Sequence, residues 1–189
     1  RLEADDLEIP EIHARVHARK ILERAEGCDT PQTTADLVQA KHQPGTLTLV
    51  IANTVGRAQE IWDELSKRKA ENLLLMHSRF RPCNRQQRAS ALLEKGTFQG
   101  IVVATQVVEA GLDIDADLMI TDVAPWASLM QRFGRVNRRG RDIDAHIYWV
   151  ANPLRSKAKS KSPEDSYRPY DAEEVVKAIA LPEKTNSAA

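Results

Sequence analysis

Residues 131–138, Gln-Arg-Phe-Gly-Arg-Val-Asn-Arg, crowd three guanidinium groups and two carboxamides into one short stretch. Gln131, Arg135 and Arg138 are spaced i, i+4, i+7, which puts them on one side of a helix turning about 100° per residue. Leu129, Phe133 and Val136 repeat that spacing on the opposite side. The stretch 128–140 therefore reads as one helix with an apolar stripe behind a polar one. A guanidinium offers a planar fork of donors suited to multi-oxygen anions such as phosphate. Gly134 removes bulk at a point of close approach. A solvated basic face is the competing reading. Clustered arginines repel one another and need anions or carboxylates nearby, and Asp122, Asp142 and Asp144 are the candidates.

Phosphate- and sugar-compatible residues recur before this stretch. Thr105 and Gln106 follow the apolar run Gly-Ile-Val-Val-Ala and bring a hydroxyl and an amide that bond phosphate oxygens. Gly111 permits a tight turn or a close backbone approach. Asp113 suits ribose hydroxyls or an arginine partner. Thr105 is equally readable as a helix cap and Asp113 as a turn residue. Asn53 and Thr54 close an earlier apolar run and open a helix, where backbone N–H groups favour phosphate. His77, Ser78 and Arg79 close another. Three such ends on one sheet edge suggest a track along a nucleic-acid backbone.

The elements that must position these residues are legible as alternation. Short apolar runs at 46–53, 72–76, 100–105, 117–124 and 145–150 are separated by helix-like patterns, at 55–69 and over 85–96 among others. Strands alternating with helices imply crossovers and a parallel sheet covered on both faces. The spacing predicts an α/β fold with a doubly wound domain over 45–152. Residues 1–44 read as an N-terminal helical or linker segment, with a surface helix over 11–26 ended by Gly27 and a second helix over 32–43. Residues 153–189 read as a polar linker and the start of a following region, with a short helix near 171–184.

Composition bounds the rest. The 189 residues balance 27 Lys and Arg against 27 Asp and Glu, so nucleic-acid binding would need a local patch. Cys28 and Cys83 belong to no Cys-x-x-Cys or Cys/His cluster and read as unpaired thiols of a reducing, cytoplasmic compartment. No apolar run reaches the roughly 18 residues of a membrane span. The first residue is Arg1 and no signal-peptide pattern follows, which reads as a fragment of a longer protein.

Taken together, the motifs resemble those of superfamily 2 helicases. Gln131–Arg138 is similar to motif VI (Gln or His, Arg, x, Gly, Arg, x, x, Arg), residues 104–115 to motif V, and residues 49–65 to motif IV, with 76–88 resembling the motif after it. "HSRF", "ATQVVEAGLDID" and "ITDVAPWASLMQRFGRVNRRG" in combination are most similar to the CRISPR-associated helicase-nuclease family of type I interference systems. The resemblance covers roughly residues 45–150 and implies the second RecA-like domain, a three-layer α/β unit with a mostly parallel sheet.

Several motifs of such enzymes are absent here. There is no phosphate loop of the form Gly-x-x-x-x-Gly-Lys-Ser/Thr, no Walker-B acidic motif and no paired His-Asp nuclease motif. The Asp-Glu-Leu-Ser at 63–66 lies in a helical pattern, and His13 and His17 have no further residue to complete a metal site.

The resemblance implies ATP between two RecA-like domains, with the phosphate loop and the Mg²⁺ carboxylates on the missing first one. Carried over by motif position, Arg135 and Arg138 are arginine fingers. Gln131, Gly111 and Asp113 are nucleotide-side contacts, and Asn53, Thr54, Ser78, Arg79, Thr105 and Gln106 are contacts to single-stranded DNA. Arg132, turned from the Arg135 stripe by helical geometry, is read as a structural ion pair with a carboxylate of its own domain. The implied partners are the other RecA-like domain, a nuclease domain, single-stranded DNA and the CRISPR surveillance complex, with no membrane. The fragment alone should hydrolyse no ATP. Two other readings fit the residues: a different superfamily 2 helicase acting on DNA or RNA, and a non-catalytic module binding nucleic acid or a protein partner.

Overall fold

A computed structural model describes residues 9–80, 98–109, 113–141, 144–151 and 167–186. In chain order the elements are α1 (Pro10–Val16), β1 (Lys20–Arg24), α2 (Pro31–Lys41), β2 (Leu47–Ile51), α3 (Val55–Lys67), β3 (Leu73–Met76) and β4 (Gly100–Ala104). They continue with β5 (Leu118–Asp122), α4 (Trp126–Phe133), β6 (Ala145–Val150) and α5 (Ala172–Asn186). All six strands pair in parallel, in the order β1-β6-β5-β2-β4-β3. The protein is an α/β domain with a parallel sheet, as the alternation of apolar runs and helical patterns predicts, and it agrees with the RecA-like unit that the resemblance implies.

The central strands are apolar on both faces because both are covered. Every residue of β2, β4 and β5 is buried. Val50, Val103 and Ile120 face one layer with Val38 of α2 and Ala58, Ile61 and Leu65 of α3. Leu49, Val102 and Met119 face the other, against Val108, Ile114, Ala116 and Val136. Each fully buried Leu, Ile or Val side chain contributes about 1.5–3 kcal/mol of transfer free energy. The helices begin where their caps stand. Thr30 and Thr33 exchange side-chain and backbone bonds at 3.1 and 3.2 Å ahead of α2, and the Thr54 hydroxyl accepts from Arg57 N at 3.2 Å ahead of α3.

Three expectations are corrected. The surface helix over 11–26 stops at Val16, and Lys20–Arg24 is a strand hydrogen-bonded to β6. The sheet therefore begins at residue 20, and the segment 1–44 supplies a strand and a core helix rather than a linker. The region after 153 is not wholly separate either, since Tyr167, Val175 and Ala178 pack with Val123, Trp149, Ala124 and Leu129. Third, the helix over 128–140 ends at Phe133, with Gly134 at its C-terminal cap. A Cβ on Gly134 would meet only carbonyls of its own helix, at 3.4 and 3.5 Å, so the close approach expected there is absent among the described residues. It occurs at Gly140, where φ is +65° and a Cβ would collide with the Ala14 carbonyl. The expected helix over 85–96, the linker over 153–166 and Cys83 lie outside the described residues; Cys28 is an unpaired, half-buried thiol.

Because β1 covers the outer side of β6 and α2 closes the layer over Val50, a chain beginning at residue 45 would expose both. That truncation is expected to lose the cooperative thermal transition of the 189-residue chain. A cooperative transition at an unchanged midpoint would show the N-terminal elements to be dispensable.

Candidate functional site

The site is built outward from two buried guanidiniums. Arg57 in α3 is 1% exposed; its Nε donates to both Asp122 carboxylate oxygens at 3.0 and 3.1 Å, and its terminal nitrogens donate to Asp29 O and Thr34 Oγ1. Arg132 in α4 is 0% exposed. Its Nε donates to Glu109 Oε1 at 2.8 Å, Nη1 to Thr121 Oγ1 and Asp122 O, both at 2.9 Å, and Nη2 to Asn53 Oδ1 at 3.1 Å and Tyr170 Oη at 3.0 Å. The structural ion pair expected of Arg132 is present, with Glu109. A buried charge is tolerated only when its donors are all met, and this fork meets five acceptors on four separate segments.

Asn53 lies between the two. Its backbone N–H donates to Asp122 Oδ2 at 2.9 Å, its amide nitrogen to Val123 O at 2.6 Å, and its side-chain oxygen accepts from Arg132. Gln106 donates to Asn53 O at 2.7 Å. Asn53 and Thr105 are buried, Thr54 caps α3, and Ser78 and Arg79 are exposed after β3. Strands β2, β4 and β3 are neighbours, so these six residues do stand together on one carboxyl edge. Their surfaces differ: Ser78 and Arg79 face solvent, whereas the Asn53 side chain is committed inside.

Arg135 and Arg138 occupy a turn, not the helix. Val136 forms a parallel bridge with Ala116, fixed by Ala116 N to Arg135 O at 2.8 Å and Asn137 N to Ala116 O at 3.0 Å. Ala116 lies two residues before β5, so the turn lies beside the amino end of that strand, away from the carboxyl edge. The strip Asp113-Ile114-Asp115-Ala116-Asp117 alternates: Ile114 and Ala116 are buried in the core, while the three carboxylates hold the turn. Asp113 pairs with Arg138 Nη1 at 3.3 Å, Asp115 accepts from Arg138 N at 2.7 Å, and Asp117 pairs with Arg141 at 2.6 Å while accepting from Leu47 N at 2.7 Å.

The neutralising carboxylates are therefore Glu109, Asp113, Asp115 and Asp117. Of the three expected from the sequence, Asp122 serves Arg57, Asp144 pairs with Arg19, and Asp142 lies outside the described residues, as does Gly111. Gln131 is exposed on α4. Sequence reading passed over Glu109, Asp115, Asp117, Asn137 and Arg141; the period-2 pattern Asp-Ile-Asp-Ala-Asp was the available signal for two of them.

Arg135 Nη2 donates to Glu109 O at 2.7 Å, whereas Arg138 pairs with Asp113 of the strip. Burial holds the Arg135 guanidinium below its ordinary pKa range, Arg138 pushes it further the same way, and Asp113 opposes with a smaller effect. The Arg138–Asp113 pair is 40% and 65% exposed, and such pairs contribute only about 0–1 kcal/mol. Arg132 is locked, whereas Arg138 can exchange its carboxylate for another anion at little cost. The donor set suits the oxygens of a phosphate: two guanidiniums on one turn, one of them half-exposed and weakly paired.

A parallel RecA-like sheet whose arginine turn is braced by the strip entering β5 defines a helicase motor domain of the second type. A family model described as CRISPR-associated nuclease/helicase Cas3, C-terminal, matches residues 44–141, and the chain belongs to that family. A putative CRISPR-associated nuclease/helicase Cas3 of Myxococcus xanthus is 34% identical over 139 residues, which cover 66% of this chain and 18% of the relative. The CRISPR-associated nuclease/helicase Cas3 of Streptococcus thermophilus is 34% identical over 110 residues, 54% of this chain and 12% of the relative. The crystal structure of T. fusca Cas3 with ATP superposes with a TM-score of 0.68 at 25% identity, covering 89% of this chain and 22% of that one. This chain thus spans under a quarter of the length of each. Among the described residues no helix is long and apolar enough to cross a membrane.

Replacing Arg132 by Met would strand the Glu109 carboxylate and the Asn53 and Thr121 acceptors. A loss of about 3–5 kcal/mol is expected from urea unfolding. A loss under about 1 kcal/mol would show that the fork is not structural.

Proposed function

We propose that this chain is the second motor domain of an ATP-dependent single-stranded DNA translocase of CRISPR interference, and that Arg135 and Arg138 are its arginine fingers. The observation that carries this reading is the geometry of the Arg135–Arg138 turn, in which Arg135 is tied to Glu109 O at 2.7 Å while the half-exposed Arg138 pairs at 3.3 Å with the exposed Asp113. ATP supplies the γ-phosphoryl group, and a first RecA-like domain with its phosphate loop would hold the nucleotide and its Mg²⁺. Arg135 and Arg138 would present guanidinium donors where charge accumulates during phosphoryl transfer, with Arg138 leaving Asp113 to do so. Gln131, exposed on the same helix end, and Asp113, with Gly111 before it, would line the nucleotide side.

The DNA strand would run over the other edge. Ser78 and Arg79 are exposed there and Thr54 is half-buried, so these three are the proposed direct contacts. Thr105, Gln106 and Asn53 would shape the edge from beneath, through the Gln106–Asn53 and Asn53–Val123 bonds. Arg132 bonds Asn53 at one end and grips Glu109, the Arg135 acceptor, at the other. Domain closure on ATP would thereby reach the DNA edge through one side chain. The surveillance complex and a nuclease domain are proposed partners of the parent, and the cytoplasm is its proposed location.

The 189-residue chain alone is expected to hydrolyse no ATP. In the full-length parent, Arg135→Ala is expected to cut DNA-stimulated ATP turnover by on the order of 10³-fold or more and leave single-stranded DNA affinity within about threefold. Turnover that survives Arg135→Ala, together with weaker DNA binding and a shallower salt dependence, would assign these arginines to nucleic-acid binding instead.

A further inference from the structure

Asn137 falls between the arginines of the motif, at a position where the motif pattern asks for no particular residue. Yet it is 0% exposed and adopts φ +43°, a left-handed conformation that asparagine tolerates better than most side chains. Its side-chain oxygen accepts from Arg141 N at 2.8 Å, which closes the turn after Arg138. Its amide nitrogen faces Arg141 O at 3.3 Å and Arg19 O at 3.4 Å, the latter in the residue just before β1. Two further contacts join the same places. Lys20 Nζ donates to Phe133 O at 2.9 Å, satisfying a carbonyl at the C-terminal end of α4, and Gly140 lies against the Ala14 backbone. The turn carrying Arg135 and Arg138 is thus clamped on one side by the Asp113–Asp117 strip and on the other by residues 14–20.

We propose that Asn137, assisted by Lys20, is the positioning residue for Arg135 and Arg138, tying their turn to the backbone that enters β1. The proposal rests on the reading of these arginines as nucleotide-reaching groups. It assigns the N-terminal strand a part in catalysis that nothing in the motif pattern indicates. A guanidinium held on a turn must meet its anion within a fraction of an ångström. Displacement by about 1 Å costs on the order of 100-fold in rate.

The test uses ATP turnover of the full-length parent. Asn137→Gly keeps the backbone conformation and deletes only the side chain. It is expected to lower kcat by about 10- to 100-fold with the KM for ATP within about twofold. Asn137→Asp, which keeps the acceptor for Arg141 N, should recover part of the loss. Added to the double variant Arg135→Ala with Arg138→Ala, Asn137→Gly should slow turnover no further, since a positioning residue then has nothing left to position. If Arg135→Ala abolishes turnover while Asn137→Gly leaves kcat within twofold, the proposal fails and the reading of the arginines stands. A loss that adds fully to that of Arg135→Ala with Arg138→Ala also overturns it. If Arg135→Ala itself retains turnover, the functional reading falls first. Should Asn137→Gly show no cooperative thermal transition, Lys20→Met decides: a several-fold drop in kcat restored by Lys20→Arg supports the proposal, and an unchanged kcat ends it.

Discussion

The fully buried guanidinium of Arg132 is the interaction on which the rest of this molecule depends. Its five acceptors come from Glu109 after β4, Thr121 and Asp122 at the end of β5, Asn53 after β2, and Tyr170 ahead of α5. A charge taken out of water costs several kcal/mol unless its partners are in place, so these segments have one arrangement in which the charge is tolerated. Asp122 carries a second such obligation through Arg57. The two arginines together pin the carboxyl ends of the central strands and the helix that leads to the arginine turn.

From this frame the two proposed surfaces part ways. Beyond β2, β4 and β3 lies an edge with exposed Ser78 and Arg79; beside the amino end of β5 lies the turn with Arg135 and Arg138. The difference between arginines is one of solvation. Arg132 is dry and immovable, Arg138 is wet and weakly paired, and Arg135 is intermediate, buried against Glu109 and repelled by Arg138. Three residues of one type within seven positions thus take a structural, a holding and an exchangeable state.

Most of the sheet was legible because β2 to β6 are continuous apolar runs, which is what strands buried on both faces require. Strand β1 was not. Lys20-Ile21-Leu22-Glu23-Arg24 is a half-exposed outer strand with polar ends, and beside the charged run before it the segment passes for a continuing helix. The arginine turn was misread for a related reason. The 3.6-residue period persists through Val136 and Arg138, yet Val136 is drawn off the helix by its bridge to Ala116, a partner twenty positions upstream. A local pattern carries no mark of a distant backbone hydrogen bond.

The amino-acid sequence alone determined the α/β class and the parallel sheet, since hydrophobic period is a local property. It also foresaw that Arg132 would turn inward to a carboxylate. Only the tertiary structure decided which carboxylate, that residues 20–24 belong to the sheet, and that Asn137 and Lys20 hold the turn to the start of β1. Those outcomes follow from which groups are left buried together once the layers close. That is set by desolvation and by backbone partners far apart in the chain, not by spacing along it.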